Sequence, residues 1–143
     1  MIEVVIVTTE QELADAYAIR MKVFVAEQGV PPELELDELD AVADHFLARL
    51  DGQPMGAGRL LVRENIGLLG RLAVLAESRG TGSGVALVRA IEERARERGL
   101  AAIELHSQTH AQGFYERLGY ETYGEIGDDA GIPHIWMRKD LGR

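Results

Sequence analysis

Three glycines at alternate positions are the first feature with chemical meaning. The stretch "SRGTGSG" (78–84) places them behind Arg79 and ahead of the apolar stretch "VALVRAIEERARERG". Glycines this close together usually hold an unusual backbone conformation or let another molecule approach the main chain. Free amides at a helix N-terminus, with an arginine beside them, can bind a pyrophosphate. A glycine-rich turn without a ligand is the alternative, and the motif alone does not decide.

The spacing excludes two common phosphate-binding loops. A Walker loop needs a lysine directly after its last glycine, and none follows these glycines. A dinucleotide fingerprint would have Val85 or Leu87 where its third glycine should stand. The pattern that remains is R-x-x-G-x-G, formed by Arg79, Gly82 and Gly84.

A tyrosine and two histidines could move protons. Tyr115 lies in "FYERLGY", and a phenol is protonated at neutral pH, so it can donate to a leaving group. The alternative is that its ring packs in the core. Of the four histidines, His106 ends a predicted strand next to this motif and His134 begins the last one. An imidazole can remove a proton from an ammonium ion, although a single histidine more often has a structural role.

Composition bounds the class of protein. With 143 residues, 46% hydrophobic and 27% charged, the chain predicts one globular domain covering residues 1–143. No apolar run approaches the ~20 residues that cross a bilayer, and the N-terminus has no basic region typical of export, so we expect a cytoplasmic protein. The absence of cysteine excludes disulfides and thiol catalysis, and unpaired histidines predict no metal site.

The formal charge of −9 argues against a nucleic-acid binder, which would need a basic face. The charges are also unevenly distributed. Residues 26–44 contain seven acidic residues and no Lys or Arg, whereas residues 71–98 contain six arginines. Both segments can be solvated surface. The alternative is that an anion binds near the arginines and a cationic group near the acids.

Periodicity and turn residues predict the elements that must position these groups. The predicted helices cover residues 10–28, 82–98 and 110–119, and an acidic connection covers 30–43. The predicted strands cover residues 2–8, 45–50, 55–64, 66–75, 100–107, 120–126 and 132–140, with the turn "GDDAG" before the last. This order, β-α-β-β-β-α-β-α-β-β, predicts an α/β (α+β) domain with a mixed central sheet and helices on both faces.

The strand-loop-helix "GRLAVLAESRGTGSG", followed by a strand and "FYERLGY", resembles the Gcn5-related N-acetyltransferase (GNAT) superfamily. The resemblance implies that acetyl-CoA is bound here. The main chain of 72–74 pairs with the pantetheine arm, the amides of 80–85 hold the pyrophosphate with added charge from Arg79, and the next strand splays away to leave a slot. Tyr115 matches the general acid of many members. The implied cofactor-binding residues are Leu72, Ala73, Val74, Arg79, Gly80, Thr81, Gly82, Ser83, Gly84, Val85, Gln108, Gln112 and Tyr115.

A narrower resemblance concerns the acceptor side. The stretches "RMKVFVAEQGVP", "ELDELDAVADH" and "AGIPHIWMRKD" look like the ElaA/YjcF-like branch of the superfamily. They imply that Glu27 and His134 are candidates for the base or the ammonium partner. A buried salt bridge from Arg20 to one of the acids is the alternative for that cluster. The expected substrate-binding residues are Arg20, Phe24, Gln28, Asp37, Asp40 and His106.

Together these features predict an N-acetyltransferase that uses acetyl-CoA on an amine, in a small molecule or a peptide. The acidic segment 26–44, expected where the acceptor enters, favours a cationic amine. Transfer should be direct within a ternary complex, since no cysteine and no suitably placed serine can hold the acyl group. One alternative is an acyl-homoserine-lactone-synthase-like enzyme, although the chain is short for that class. The other is a non-catalytic acyl-CoA-binding module. Dimers are common in the superfamily, which leaves a homodimer open.

Overall fold

The computed structural model describes residues 1–142, which form a single mixed sheet with helices packed on it. The strands are β1 (Ile2–Ile6), β2 (Asp44–Leu50), β3 (Gln53–Arg63), β4 (Ile66–Val74), β5 (Ala102–Gln108), β6 (Glu121–Asp129) and β7 (Ile132–Asp140). The α-helices are α1 (Glu10–Arg20), α2 (Pro32–Glu35), α3 (Ser83–Glu97) and α4 (Gln112–Arg117). The predicted order of strands and main helices is confirmed.

The sheet has the strand order β1-β2-β3-β4-β5-β7-β6, and all neighbours are antiparallel except β4 and β5. The parallel ladder joins only Ile66–Leu69 to Ala102–Leu105. Beyond that point β4 stays paired with β3, and β5 stays paired with β7 as far as Gln108. The two central strands therefore separate, as the expected slot requires.

A bulge in β4 accompanies this separation. The register with β3 shifts between Ala57 and Arg59, where β4 has one extra residue. Arg71, within that shift, has a φ of +53°, which is unusual for a residue with a side chain. Because a bulge bends its strand and increases the local twist, it turns the end of β4 away from β5.

The core occupies both faces of the sheet, as predicted. Successive residues of a strand point to opposite faces, so Phe46 packs with α3 while Leu47 packs with α1. Ile91 of α3 and Ile19 of α1 are the corresponding buried helix residues. Burying an aliphatic side chain of this size contributes roughly 1.5–3 kcal/mol, so the two clusters hold the helices on the sheet.

The predicted helix over 10–28 has two parts. It begins with a capping box between Thr9 and Glu12 and is α-helical to Arg20. From Met21 to Glu27 it widens into a π-helix, which ends where the Gln28 amide donates to the Val23 carbonyl. A pattern of apolar spacing assumes one helical period, so it could not distinguish this wider turn.

The acidic connection contains α2 and a short 3₁₀ turn, Glu38–Ala41, which Asp37 caps. Strand β6 runs on to Asp129, so the expected "GDDAG" turn narrows to Ala130 and Gly131. Within residues 1–142, no helix combines the length and the apolar character that crossing a bilayer needs.

Candidate functional site

A cleft of about 790 Å³ lies where β4 and β5 separate. Its walls come from the π-helix, the end of β4, the glycine loop with the start of α3, the end of β5, α4 and the β6–β7 turn. The cleft thus brings together segments from the whole length of the chain. Most of the residues expected at the site contribute to it.

The glycine loop offers free main-chain amides. Gly80 and Gly82 adopt φ values of +83° and +92°, in the left-handed region that favours glycine. In the described chain, no amide from residues 80–85 donates a hydrogen bond, and the first amide of α3 that does is that of Ala86, to the Gly82 carbonyl. These amides stand at the positive end of a 15-residue helix, which suits an anion.

The side chains of this loop brace it from inside. The Thr81 hydroxyl donates to the Ser78 carbonyl and lies 2.9 Å from the Ser83 Oγ. Neither Thr81 nor Ser83 lines the cleft, so their expected contribution to the cofactor is limited to the main chain. At Gly84 a Cβ atom would meet the Phe114 ring at 3.3 Å, so glycine lets α3 approach α4 closely.

Arg79 connects the glycine loop to the π-helix. Its Nη1 lies 2.7 Å from Glu27 Oε2, and its Nε donates to the Val74 carbonyl. Hydrogen bonding to Arg79 lowers the pKa of Glu27, which therefore remains a carboxylate. A carboxylate with a lowered pKa is a weak base, so the geometry favours a structural or ion-pairing role for Glu27 over proton abstraction.

Tyr115 shows both features that the sequence left open. Its ring belongs to the core cluster and stacks edge-on against Phe114 and Tyr120. It also lines the cleft, and its hydroxyl makes no hydrogen bond to another described residue. Burial raises the pKa of this phenol well above its usual range, so the hydroxyl keeps its proton and can donate a hydrogen bond within the cleft.

His106 and His134 face each other across β5 and β7, with ring centroids 4.7 Å apart. Nδ1 of His134 lies 2.7 Å from the Ile132 carbonyl, which can only accept. A neutral ring in this position therefore carries its proton on Nδ1 and keeps a lone pair on Nε2. Burial and the neighbouring His134 lower the pKa of His106, so this ring is neutral at pH 7.

Two residues that sequence reasoning missed hold His106 in place. The ring stacks on Trp136 at a centroid distance of 4.7 Å, and Nδ1 lies 3.6 Å from Asp129 Oδ2. Trp136 stands directly opposite His106 in the β5–β7 register. Asp129 is the last residue of β6, whose place near β5 depends on the pairing of the distant strands β5 and β7.

The glutamines expected at the site divide into two groups. Gln28 and Gln108 line the cleft, and the Gln108 amide donates to Gln28 Oε1 at 2.7 Å, across 80 residues of sequence. Gln112 lies outside the cleft. Its amide donates to Glu116 one turn along α4, so the expected cofactor contact of Gln112 is not supported.

The expected acceptor residues Arg20, Asp37 and Asp40 also lie outside the cleft. Arg20 is 1% exposed and donates to Asp40 at 2.8 Å and to Glu35 at 3.1 Å. The buried salt bridge, which was the alternative for this cluster, is therefore the observed arrangement. Only Phe24, Gln28 and His106 of the expected substrate-binding residues line the cleft.

The salt bridge extends into a network of three arginines and three carboxylates. Arg59 lies 2.8 Å from Asp37 and 2.9 Å from Asp40, and Arg71 binds Glu35 and Asp37. Burial alone would raise the pKa of Asp40, but hydrogen bonds from Arg20, the Asp37 amide and Arg59 hold it at about 2. The network ties the acidic connection to α1, β3 and the β4 bulge, and its charges balance.

Among the residues that the structure describes, no group of three His, Cys, Asp or Glu side chains could hold a metal ion. His110 also lines the cleft, and its Nε2 lies 2.5 Å from Gln108 Oε1. The chemical groups of the cleft thus include the free amides and Arg79 at the glycine loop, the Tyr115 phenol, and the imidazoles of His106, His110 and His134.

Comparison with known proteins finds close similarity over nearly the whole chain. Residues 6–141 match the family model described as "Acetyltransferase (GNAT) domain". The Bacillus subtilis protein named "Uncharacterized N-acetyltransferase YjcF" is 40% identical over 137 residues, covering 95% of this chain and 98% of that protein.

Two solved structures share the fold. An acyl-CoA N-acyltransferase from Pseudomonas aeruginosa superposes with a TM-score of 0.84 at 33% identity, covering 97% of this chain and 98% of that one. Escherichia coli ElaA superposes with a TM-score of 0.86 at 26% identity, covering 97% and 99% of the two chains.

Proposed function

The chain belongs to the GNAT acetyltransferase family, and we propose that it transfers an acetyl group from acetyl-CoA to a primary amine within a ternary complex. Its similarity to YjcF and ElaA assigns it to the ElaA/YjcF-like branch. The family makes it an acyltransferase. The acyl donor, the acceptor and the residue roles below are our proposal.

One observation carries the proposal. The amides of residues 80–85 have no partner in the described chain, and they stand at the end of a cleft that opens where β4 and β5 separate. A diphosphate fits the first feature, and a narrow thioester arm fits the second. The P. aeruginosa relative, named as an acyl-CoA N-acyltransferase, supports the same ligand class.

The chain's own residues would hold acetyl-CoA, whose thioester supplies the activated acetyl group. The amides of residues 80–85 and the Arg79 guanidinium would bind the diphosphate. The main chain of residues 72–74 lies in the cleft wall where β4 no longer pairs with β5, so it can pair with the pantetheine arm. Gln108, beside the same gap, is the candidate side-chain contact.

His134 is our candidate for the base. An ammonium ion must lose a proton before its nitrogen can attack a carbonyl carbon. The Ile132 carbonyl holds the proton of a neutral ring on Nδ1, so Nε2 is free to accept the proton that the ammonium ion loses. His134 is also 8% exposed and lines the cleft, which limits competition from water. Glu27, bound to Arg79, is the weaker candidate.

Tyr115 is our candidate for the acid. As the C–N bond forms and the C–S bond breaks, the departing sulfur gains negative charge, and the phenol can donate its proton there. The proton that the attacking nitrogen still carries then restores the phenol. Overall, ammonium and thioester become amide, thiol and one proton. Holding both substrates in one cleft supplies a further part of the acceleration.

The test measures binding and turnover separately. Calorimetry with CoA should show heat, and thiol release from acetyl-CoA should depend on an added amine from a broad panel of small amines and peptides. Heat without amine-dependent thiol release across the panel would favour the non-catalytic module. No heat and no change in melting temperature would contradict the proposal altogether.

The cellular location and the oligomeric state of the protein are further predictions. We propose a cytoplasmic location, which the lack of cysteine in the sequence supports. A homodimer remains open, and light scattering of the purified protein would decide it.

A further inference from the structure

Three carboxylates line the cleft in the described chain, and two of them are neutralised by arginines. Glu27 pairs with Arg79, and Glu35 pairs with Arg20 and Arg71. Asp129 has no Arg or Lys partner among the described residues, is 58% exposed, and lies 3.6 Å from His106. The uncompensated negative charge of the cleft therefore comes from Asp129, next to the two imidazoles. It does not come from the acidic segment 26–44.

The cleft has no matching positive charge for a carboxylate. Its two arginines in the described chain are Arg71 and Arg79. Arg71 donates to the Glu35 and Leu34 carbonyls and to Asp37, within the balanced network. Arg79 binds Glu27 and stands beside the glycine loop. A carboxylate on the acceptor would thus meet Asp129 without a free guanidinium to balance it.

The walls around the acceptor end are largely apolar. Val23, Phe24 and Val30 line one side, and Ile132 lines the other. Leu34 also lines the cleft although it is 54% exposed, which leaves an apolar side chain at the entrance. Gln108 is already bound to Gln28 and to His110, which engages both ends of its amide. A hydroxyl group of a polyhydroxylated acceptor that met the apolar walls would lose its water contacts.

We propose that the acceptor is a primary amine on an apolar stem, with no carboxylate beside its amino group, and that Asp129 attracts the ammonium. The inference rests on the proposed acetyl transfer and names the substrate class of the same site. Asp129 lies beside His106, which faces His134, so the charge that attracts the ammonium also brings it to the candidate base. The apolar walls bind the stem.

The test compares acceptors that differ by one group. With acetyl-CoA saturating, kcat/KM should be about tenfold or more higher for 2-phenylethylamine than for phenylalanine, because a carboxylate in the cleft is repelled by Asp129. Phenylalaninamide, which has no carboxylate, should recover most of the difference. The pair 3-methylbutylamine and leucine should behave in the same way, and an aminoglycoside should be a poor acceptor.

The outcomes separate the two proposals. Phenylalanine or an aminoglycoside accepting as well as 2-phenylethylamine would overturn the substrate class and leave acetyl transfer intact. No turnover with any acceptor, in a protein that binds CoA, would overturn acetyl transfer and this inference with it.

A matched pair of variants tests Asp129 itself. Asp129→Asn should raise the KM for 2-phenylethylamine about tenfold with a smaller effect on kcat, because the bound ammonium group loses the carboxylate that attracts it. Asp128→Asn is the control, since Asp128 is the exposed neighbour on β6 and does not line the cleft. Asp129→Arg should raise kcat/KM for phenylalanine relative to that for 2-phenylethylamine. Equal KM values in the Asp129→Asn and Asp128→Asn proteins would overturn the assignment.

Discussion

Tyr115 illustrates how one side chain can serve the core and the cleft together. Its ring packs between Phe114 and Tyr120, while its hydroxyl has no hydrogen-bond partner in the described chain. Burial keeps the phenol protonated because the phenolate would be poorly solvated. The same burial that holds the ring therefore preserves the proton that we assign to the leaving thiolate.

The Tyr115→Phe substitution tests this role. Removing the hydroxyl should lower kcat by about 10²-fold, the lower range for general acid catalysis, while the affinity for CoA changes little. The measurement is steady-state thiol release together with calorimetry.

Tyr120→Phe is the matched control. The Tyr120 hydroxyl donates to Glu92 Oε2 in the core, so its loss should lower the free energy of unfolding by about 1 kcal/mol and leave kcat unchanged. Equal kcat values for the Tyr115→Phe protein and the unmodified protein would exclude Tyr115 as the acid.

At the scale of elements, the glycine loop depends on left-handed backbone conformations. Gly80→Ala should lower CoA affinity about tenfold, because alanine at a φ of +83° is strained by roughly 1–2 kcal/mol and the loop would relax away from the geometry that aims its amides. Calorimetry with CoA gives the affinity.

Gly52→Ala is the control for backbone strain alone. Gly52 has a φ of +85° in the β2–β3 hairpin, and a Cβ atom at either glycine meets nothing within 4 Å. Both variants should lose similar stability, but only Gly80→Ala should lose affinity. A similar loss of CoA affinity in the Gly80→Ala and Gly52→Ala proteins would contradict the proposed role of the glycine loop in binding CoA.

The buried network predicts how the protein responds to acid. The pKa of Asp40 falls from an ordinary 3.8 to about 2 in the folded protein. A carboxyl group whose pKa is lower in the folded than in the unfolded protein stabilises the fold at pH values above its unfolded-state pKa. That stabilisation is lost as the pH falls through the folded-state pKa. We expect Asp40 to contribute about 2 kcal/mol at neutral pH, lost between about pH 4 and pH 2.

Urea denaturation from pH 6 to pH 2 measures this contribution. Asp40→Asn should be less stable at pH 6 and should show a shallower fall toward pH 2 than the unmodified protein. Asp128→Asn, which changes an exposed carboxylate, should follow the unmodified protein. Parallel curves for the Asp40→Asn and unmodified proteins would contradict the network's role.

The elements and the glycine loop could be predicted because their signals are local. Apolar spacing predicts α3, and the closely spaced Gly80 and Gly82 indicate the left-handed backbone conformation of the loop. The salt-bridge network could not be assigned in detail, since Arg59 meets Asp37 across 22 residues and a charge pattern does not name its partner. Asp129 was missed for the same reason, because only the β5–β7–β6 pairing brings it to His106.

For the molecule as a whole, the net charge of −9 acts at longer range than any single contact. Such a charge attracts cations and repels anions until salt screens it, over about 10 Å at 0.1 M ionic strength. Raising the salt from 50 to 500 mM should increase the KM for 2-phenylethylamine several-fold and leave its kcat unchanged. A KM that does not respond to salt would show that the overall charge plays no part in recruiting the amine.

The stacking of Trp136 on His106 has a practical consequence, because Trp136 is the only tryptophan in the chain. An excited indole transfers an electron to a charged imidazole far more readily than to a neutral one, so its emission dims when the adjoining ring gains a proton. The intrinsic fluorescence of the protein therefore originates beside the reacting groups. Stopped-flow emission traces should follow ligand arrival and proton movement there in real time, without an attached dye.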